Sequence, residues 1–106
     1  MSDCLFCKIS SSEFGTEFVF EDDECVVFND IHPKAKTHLL IVPKKHIDSV
    51  ATMKDGDEHV VGHLIHIAKI VAKKLNLKAY NLQINVGQEA GQSIFHIHLH
   101  LTTNYS

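Results

Sequence analysis

Apolar and polar residues follow one another along the chain in patterns that predict one long helix and five strands. Over residues 57–75 the apolar positions recur at steps of three and four, which is the period of an amphipathic helix. Shorter apolar runs, bounded by turn-forming residues, predict strands. The predicted strands are 18–21, 24–28, 38–42, 82–86 and 94–101.

The order of these elements predicts the fold class. The strands are grouped along the chain instead of alternating with helices, which favours an α+β domain built on an antiparallel five-stranded sheet. Residues 47–53 are predicted to form a short helical turn, and residues 4–17 a loop or a short first turn of helix. A length of 106 residues fits a single domain over 1–106.

The last predicted strand carries three histidines at alternate positions, His96, His98 and His100. Successive side chains of a strand point to opposite faces, so the three imidazoles are expected on one face. Protonation of one ring disfavours protonation of its neighbours, which leaves at least one ring neutral near pH 7 as a potential nucleophile or metal ligand. The opposite face is predicted to enter the core through Phe95, Ile97, Leu99 and Leu101.

Polar groups just before this strand suit a phosphate. The loop Gly91, Gln92 and Ser93 can turn backbone N–H groups and a hydroxyl toward an anion, and Asn85 offers a side-chain amide. The histidines and these donors together predict a phosphate site. The alternative is a polar strand face whose histidines are simply solvated.

Composition and charge narrow the class of protein. The chain is 44% hydrophobic and 22% charged, as ordinary globular domains are. Its net charge of −3, without a run of Lys or Arg, argues against nucleic-acid binding. Its apolar runs are too short to span a membrane, and no signal peptide is recognisable, so we expect a cytoplasmic protein. Three cysteines fit reduced thiols better than a disulfide framework.

A Cys-x-x-Cys pair, Cys4 and Cys7, lies near the start of the chain. Two thiolates at this spacing commonly bind zinc, and because no second pair of cysteines exists, further ligands would have to be histidines. The alternative is a pair of free thiols. Cys25 lies in an apolar strand and is predicted to be a small buried hydrophobic residue.

The long helix carries a second row of histidines, His59, His63 and His66. Residues three and four apart are neighbours on a helix, and such a pair can bind a transition metal. No acidic or sulfur-bearing residue completes the set in the sequence, so we expect a solvated helix face.

The motif formed by 91–93 and 96–101 resembles that of the histidine triad (HIT) superfamily, in which three histidines alternate with hydrophobic residues. Segments 29–33 and 37–46 resemble the same family, and the similarity extends from Cys4 to Leu101. It is closest to the histidine triad nucleotide-binding proteins, the phosphoramidase branch. The resemblance implies the HIT-like fold and cleavage of purine nucleoside phosphoramidates or acyl-adenylates at the α-phosphate.

The resemblance also implies roles for individual residues. His98 would attack the α-phosphorus and form a nucleotidyl-histidine intermediate, while His100 and His38 would fix its orientation and proton state. Ser93 would hold phosphate oxygens and assist the departing amine. Nucleotide contacts would come from Asp30 at the ribose, from Phe6, Ile9, Phe28 and Ile31 around the purine, and from Asn85, Gly91 and Gln92 at the phosphate.

Zinc and a second copy of the chain are implied in the same way. A structural zinc would be held by Cys4, Cys7, His46 and His96, and no organic cofactor is expected. Dimerisation would use the long helix and the strand 82–86. A purine nucleotide would be the substrate.

Three other functions compete with this interpretation. Hydrolysis of dinucleoside polyphosphates is a second enzymatic possibility, although a hydroxyl at Ser93 suits an amine leaving group better. A cupin-like metal centre formed by the three strand histidines would need a carboxylate further along the chain. A non-catalytic nucleotide-binding scaffold would keep the pocket without turnover.

Overall fold

The computed structural model describes residues 4–105. Within these residues the strands are β1 Phe20–Glu21, β2 Cys25–Asn29, β3 Thr37–Pro43, β4 Asn81–Gln83 and β5 Leu99–Thr103. These five strands form one antiparallel sheet in the order β1-β2-β3-β5-β4, which confirms the predicted α+β class. The central strands β2, β3 and β5 are the longest, and β1 and β4 lie at the edges.

In the described part of the chain, two α-helices accompany the sheet. The short helix α1 covers Leu5–Ser10, within the segment predicted as a loop or first helical turn. The long helix α2 covers Glu58–Lys74 and agrees with the predicted 57–75 within one residue at each end. The predicted turn at 47–53 is present as a single 3-10 turn, Val50–Thr52. Among residues 4–105, neither helix combines the length and apolar character that crossing a membrane requires.

The pleat of the sheet separates two hydrophobic clusters. On one face, alternate residues of β2, β3 and β5 pack against α2 and are shielded from water. Burial of this apolar surface is the main stabilisation of a domain of this size. The largest fully buried members of the cluster are Val27, Leu39, Ile41, Leu64, Val71, Leu99 and Leu101.

The opposite face holds a smaller cluster and the polar groups of interest. Phe6 of α1 packs there against Phe28 and Leu40, next to the buried His38. Because side chains alternate along β3, Leu40 and His38 lie on this face while Leu39 and Ile41 enter the main core. The site is therefore on the side of the sheet away from α2.

The predicted boundaries of the last two strands are wrong. Strand β5 begins at Leu99 instead of residue 94, and β4 ends at Gln83 instead of residue 86. The segment before β5 is held by other bonds: the Gln92 side chain donates to the Ile94 carbonyl, and the Ile97 N–H donates to the Ile47 carbonyl. These contacts replace pairing with β4.

Phe95 shows the consequence of this bend. It is 45% exposed instead of lying in the core, whereas the other three predicted core positions of the segment are buried. The period-two pattern was therefore correct from Ile97 onward and wrong before it, where the chain is not extended.

Candidate active site

An open pocket of about 1020 Å³ lies on the face of the sheet away from α2. Its wall near β2 is apolar, with Phe6 and Phe28 in edge-to-face contact at 5.9 Å between ring centroids. His98 and His100 line the middle of the pocket, where Phe6 also contacts the edge of His98. An apolar wall beside hydrogen-bonding side chains is the usual composition of a small-molecule site.

The tautomer of His98 is set by a backbone carbonyl. Its Nδ1 lies 2.8 Å from the carbonyl oxygen of His96, and a carbonyl can only accept, so Nδ1 carries the proton. Burial lowers the pKa of His98 below its usual value, which favours the neutral ring. Nε2 then keeps an unshared electron pair on a side chain that lines the pocket. This is the state that a histidine nucleophile requires.

A series of hydrogen bonds determines which ring nitrogens of His38 and His100 carry a proton. The Lys34 N–H donates to Nδ1 of His38, so the neutral ring carries its proton on Nε2. That Nε2 lies 2.9 Å from Nδ1 of His100 and 3.4 Å from a carboxylate oxygen of Asp30. Burial and the adjacent His98 and His38 lower the pKa of His100 to about 4, so its Nδ1 accepts from His38 near pH 7. The remaining proton of His100 is on Nε2.

The glycine-containing loop reaches the same pocket. Ser93 and Gly91 line it, and Ser93 is exposed there. Gly91 has φ +97°, and a Cβ at this position would come within 3.2 Å of the Asn85 amide nitrogen, so the loop requires glycine. Asn85 donates to the Ala90 carbonyl at 2.7 Å, which fastens the loop to the segment after β4.

Gln92 does not line this pocket, although the resemblance implies that it contacts the nucleotide. It is 1% exposed. Its side chain accepts from the Gly87 N–H and donates to the carbonyls of Asp48 and Ile94. Its own N–H donates to the Gly87 carbonyl. Gln92 therefore supports the loop from behind.

A second polar cluster joins α1 to the sheet. The side chains of Cys4, Cys7, His46 and His96 bring one ligand atom each within 4.8 Å of one another, so they could hold a metal ion. Nε2 of His96 donates to the Pro43 carbonyl at 2.7 Å, and Nε2 of His46 to Asp48 at 2.6 Å. Both rings consequently direct Nδ1 toward the two sulfurs.

The spacing of these atoms fits a tetrahedral zinc ion. With Zn–N and Zn–S bonds of about 2.05 and 2.3 Å, two nitrogens lie about 3.3 Å apart, and a nitrogen and a sulfur about 3.6 Å apart. The two Nδ1 atoms are 3.2 Å apart, and three of the four sulfur–nitrogen pairs are separated by 3.3, 3.3 and 3.5 Å. Burial and the neighbouring Cys4 raise the pKa of Cys7 to about 11, so without a cation its thiol stays protonated. A bound metal ion would reverse this, because a coordinating thiol loses its proton.

Residues 3–106 match the family described as scavenger mRNA decapping enzyme C-term binding. A HIT-like protein of Synechocystis, itself uncharacterised, is 40% identical over 100 residues, which cover 93% of this chain and 88% of the relative. The chain belongs to the histidine triad family.

Solved structures of histidine triad proteins show the same fold. A HIT family hydrolase of Legionella pneumophila superimposes with a TM-score of 0.93 at 42% identity, covering 98% of this chain and 95% of the relative. A histidine triad protein of Clostridium difficile gives a TM-score of 0.92 at 34% identity, covering 100% and 98%.

The histidine triad of this chain is divided between two environments. His98 and His100 line the pocket, whereas His96 turns its ring into the Cys-His cluster, away from the pocket lining. The other implied pocket residues, Gln92 excepted, do line it. They are Phe6, Ile9, Phe28, Asp30, Ile31, His38, Asn85, Gly91 and Ser93.

Several groups that act through hydrogen bonds were not identified from the sequence. Asp48 holds the ring of His46, the Pro43 carbonyl holds that of His96, and the Lys34 N–H holds that of His38. Two of the three are backbone groups, which any residue could supply, so no signal in the residue types identifies them. Asp48 lies two residues after His46, and that proximity was the one available signal.

The interpretation of His63 as part of a solvated helix face is wrong. Its Nε2 lies 2.7 Å from a carboxylate oxygen of Asp22, in the turn between β1 and β2. Cys25 is close to the same pair. One histidine of the helix row, His63, therefore contacts an acidic residue that is distant in sequence, whereas His59 and His66 are exposed.

Proposed function

We propose that this histidine triad protein hydrolyses purine nucleoside phosphoramidates, or the related acyl-adenylates, at the α-phosphate. The observation that carries the proposal is the free Nε2 of His98. The bond from Nδ1 to the His96 carbonyl leaves that nitrogen unprotonated, and the ring lines a pocket large enough for a nucleotide. The name of the Legionella relative, a HIT family hydrolase, agrees with hydrolysis as the reaction class.

The proposed reaction has two displacements. His98 Nε2 forms a bond to the α-phosphorus while the phosphorus–nitrogen bond to the leaving amine breaks. The amine nitrogen takes a proton, for which the Ser93 hydroxyl at the pocket supplies the path from solvent. Water then attacks the phosphorus, the bond to His98 breaks, and the nucleoside monophosphate leaves with one proton released. Two moderate barriers thus replace one high barrier.

The histidines beside His98 can stabilise the negative charge on the phosphate oxygens of this intermediate. His100 keeps an Nε2–H that can donate to a phosphate oxygen, because its Nδ1 accepts from His38. A donor fixed before the reaction stabilises charge without reorganising during it. Asp30 is proposed to bind the ribose hydroxyls; one of its oxygens accepts from the His32 N–H, and a carboxylate has further acceptor capacity.

Replacement of His98 tests the covalent mechanism. The wild type incubated with an adenosine phosphoramidate should show an adenylylated chain by mass spectrometry after rapid quenching. His98→Asn should show no adduct and should lose at least about 10³-fold in kcat. His59→Asn, the same replacement at an exposed helix position, is the control. Turnover that survives in His98→Asn would exclude His98 as the nucleophile.

We further propose that Cys4, Cys7, His46 and His96 bind one structural zinc ion per chain. Support comes from the interatomic distances and from the carbonyl and carboxylate that orient both rings, an arrangement common around zinc. Elemental analysis should find about one zinc per wild-type chain and little in Cys4→Ser, whose melting temperature should also fall. Cys25→Ala, a cysteine outside the cluster, should retain its zinc. Equal zinc in Cys4→Ser and the wild type would rule out this ligand set.

A homodimer through α2 and β4 is proposed as the assembly. Ile65 and Ile70 on α2 and Leu82 on the edge strand β4 are each at least 39% exposed. An unpaired strand edge beside exposed apolar residues is a surface that a second chain can cover. Light scattering should give twice the chain mass, and Leu82→Lys should shift the species toward the monomer.

A further inference from the structure

The pocket continues beyond His100 onto the edge of the sheet. Strand β4 places Gln83 opposite His100 and Asn81 opposite Thr102, and paired residues share a face of the sheet. Asn81, Gln83 and Thr102 all line the pocket. We call these three residues the polar shelf. Within residues 4–105, none of the three side chains forms a hydrogen bond inside the chain, so their amide and hydroxyl groups are available to a ligand.

The strand order separates the shelf from the apolar wall. Phe28 lies on β2 and the shelf on β4 and β5, with the histidines of β3 and β5 between them. A nucleotide with its base against Phe28 and its α-phosphate at His98 would direct the group attached to that phosphate toward the shelf. The shelf is therefore placed to contact the leaving group.

Lys34 supplies the positive charge of this pocket. Among the lining residues of the described part of the chain, Asp30 and Lys34 are the charged side chains apart from histidines. Asp30 is already engaged with the His32 N–H and faces His38. The charge of Lys34 reaches the reaction centre, since it contributes, after burial and the neighbouring histidines, to the lowered pKa of His100.

We propose that the polar shelf and Lys34 form the leaving-group subsite, and that Lys34 selects leaving groups that carry a negative charge. This inference rests on the proposed function. The shared chemistry is an anionic group beyond the scissile bond, either a carboxylate on the departing amine or a further phosphate. Lys34 provides attraction, and the shelf provides hydrogen bonds that an alkyl leaving group could not use.

Paired substrates test the charge selection. One adenosine phosphoramidate carries an unsubstituted alkylamine, the second carries an amine of the same length ending in a carboxylate, and a dinucleoside polyphosphate forms the phosphate arm. The readout is the ratio of kcat/KM for each anionic substrate to that for the neutral one. Lys34→Met should lower the ratio about 3- to 5-fold, the upper part of the range for an exposed ion pair, and Lys34→Arg should restore it. High salt should weaken the wild-type preference.

Lys36→Met is the matched control. Lys36 lies in the same loop, but its side chain does not line the pocket. Its replacement should therefore leave the ratio of kcat/KM values unchanged. Gln83→Leu should raise KM for the carboxylate substrate more than for the alkyl substrate.

The outcomes separate the inference from the function on which it rests. If the wild type hydrolyses the neutral phosphoramidate but Lys34→Met keeps the wild-type ratio in both anionic arms, the subsite is wrong and the proposed function stands. If the wild type hydrolyses neither the phosphoramidates nor an acyl-adenylate, the proposed function itself fails. A change confined to one anionic arm supports the subsite and identifies its ligand as a carboxylate or a phosphate.

Discussion

Several residues of this site act through backbone atoms, and the pattern of residue types along the chain does not predict these contacts. The backbone carbonyl of His96 fixes the tautomer of His98, the proposed nucleophile, and the backbone N–H of Lys34 fixes that of His38. The side chain of His96 meanwhile serves the Cys-His cluster. One residue thus joins the proposed metal site to the proposed nucleophile, by its ring on one side and its carbonyl on the other.

Gln92 illustrates how a residue can support a site without touching its ligand. It is buried and bonds with three backbone groups, which belong to Gly87, Asp48 and Ile94. These bonds connect the 3-10 turn Gln88–Ala90, the segment before β5 and the segment after β3. Its function in the fold is to hold the loop that carries Ser93.

Gln92→Ala should therefore act on stability. Removing the side chain leaves up to three partly buried backbone groups without their protein partner, which should cost about 1–3 kcal/mol of the free energy of unfolding. The urea midpoint measures the loss. Gln88→Ala, at an exposed position of the same loop, should change it by less than about 0.5 kcal/mol. Equal midpoints for the two variants would mean that Gln92 does not fasten the loop.

The resemblance to the histidine triad family predicted most of the pocket, and the residues that it implied, among them Asp30, Phe28 and His98, line one pocket. Residue types and spacing alone predicted the histidine face and the donors of the loop that precedes it. Gln92 could not be distinguished from a ligand contact, since an amide serves equally well as a backbone partner. Lys34 was missed because a lone lysine in a loop carries no sequence signal of its own.

Elements of the structure are joined by side-chain bonds that span long sequence distances. The turn between β1 and β2 is closed by Asp22, one oxygen of which accepts from the N–H groups of Glu24 and Cys25, each at 2.8 Å. Its other oxygen receives the bond from His63 of α2. Partial burial opposes ionisation, but these donors outweigh it and lower the pKa of Asp22. A charged Asp22 thus fastens α2 to the edge of the sheet.

A double-mutant cycle should detect this tie. Asp22→Asn and His63→Ala, made singly and together, should give a coupling free energy of about 0.5–1.5 kcal/mol at pH 6, a modest value because both side chains are partly solvated. The same cycle with Asp22→Asn and His59→Ala should give a coupling near zero, since His59 is exposed. Additive effects of Asp22→Asn and His63→Ala would show that the contact does not stabilise the fold.

Helix α2 and strand β5 show why one element could be predicted and the other could not. The apolar period of α2 repeats over 17 residues, so its ends were correct within one residue. The alternation before β5 is equally regular, yet bonds from Gln92 and Ile47 bend the chain until Leu99. Strand pairing depends on two segments of the chain, so the residue pattern of one segment does not predict it.

At the scale of the whole molecule, the main hydrophobic core and the candidate site lie on opposite faces of one sheet. One face is covered by α2 and contains the main core, and the other holds the pocket and the Cys-His cluster. Placing histidines on the second face still buries them. Burial is the main cause that lowers the pKa of His96, His98 and His100.

This burial should make the stability of the molecule depend on pH. The native pKa of His100 is about 4, against about 6.5 in an unfolded chain. Near pH 7 both states hold this ring neutral. As the pH falls from about 6.5 toward 4, the unfolded chain binds a proton that the native protein does not, so the free energy of unfolding decreases. His100 is the group to test, because His96 lies among the proposed metal ligands and His98 is close to it.

Urea unfolding of the wild type and His100→Asn at pH 7, 6 and 5 measures this dependence. As the pH falls, the free energy of unfolding of the wild type should decrease more steeply than that of His100→Asn. The difference in slope should be at most about 1.4 kcal/mol per pH unit, the limit for one proton. His66→Asn controls for replacing a histidine at an exposed position. His100→Asn also removes the bond from His38, which shifts the absolute stability, so the test compares slopes and not absolute values. Parallel curves for the wild type and His100→Asn would mean that His100 titrates alike in both states, and that its neutral form is not imposed by the fold.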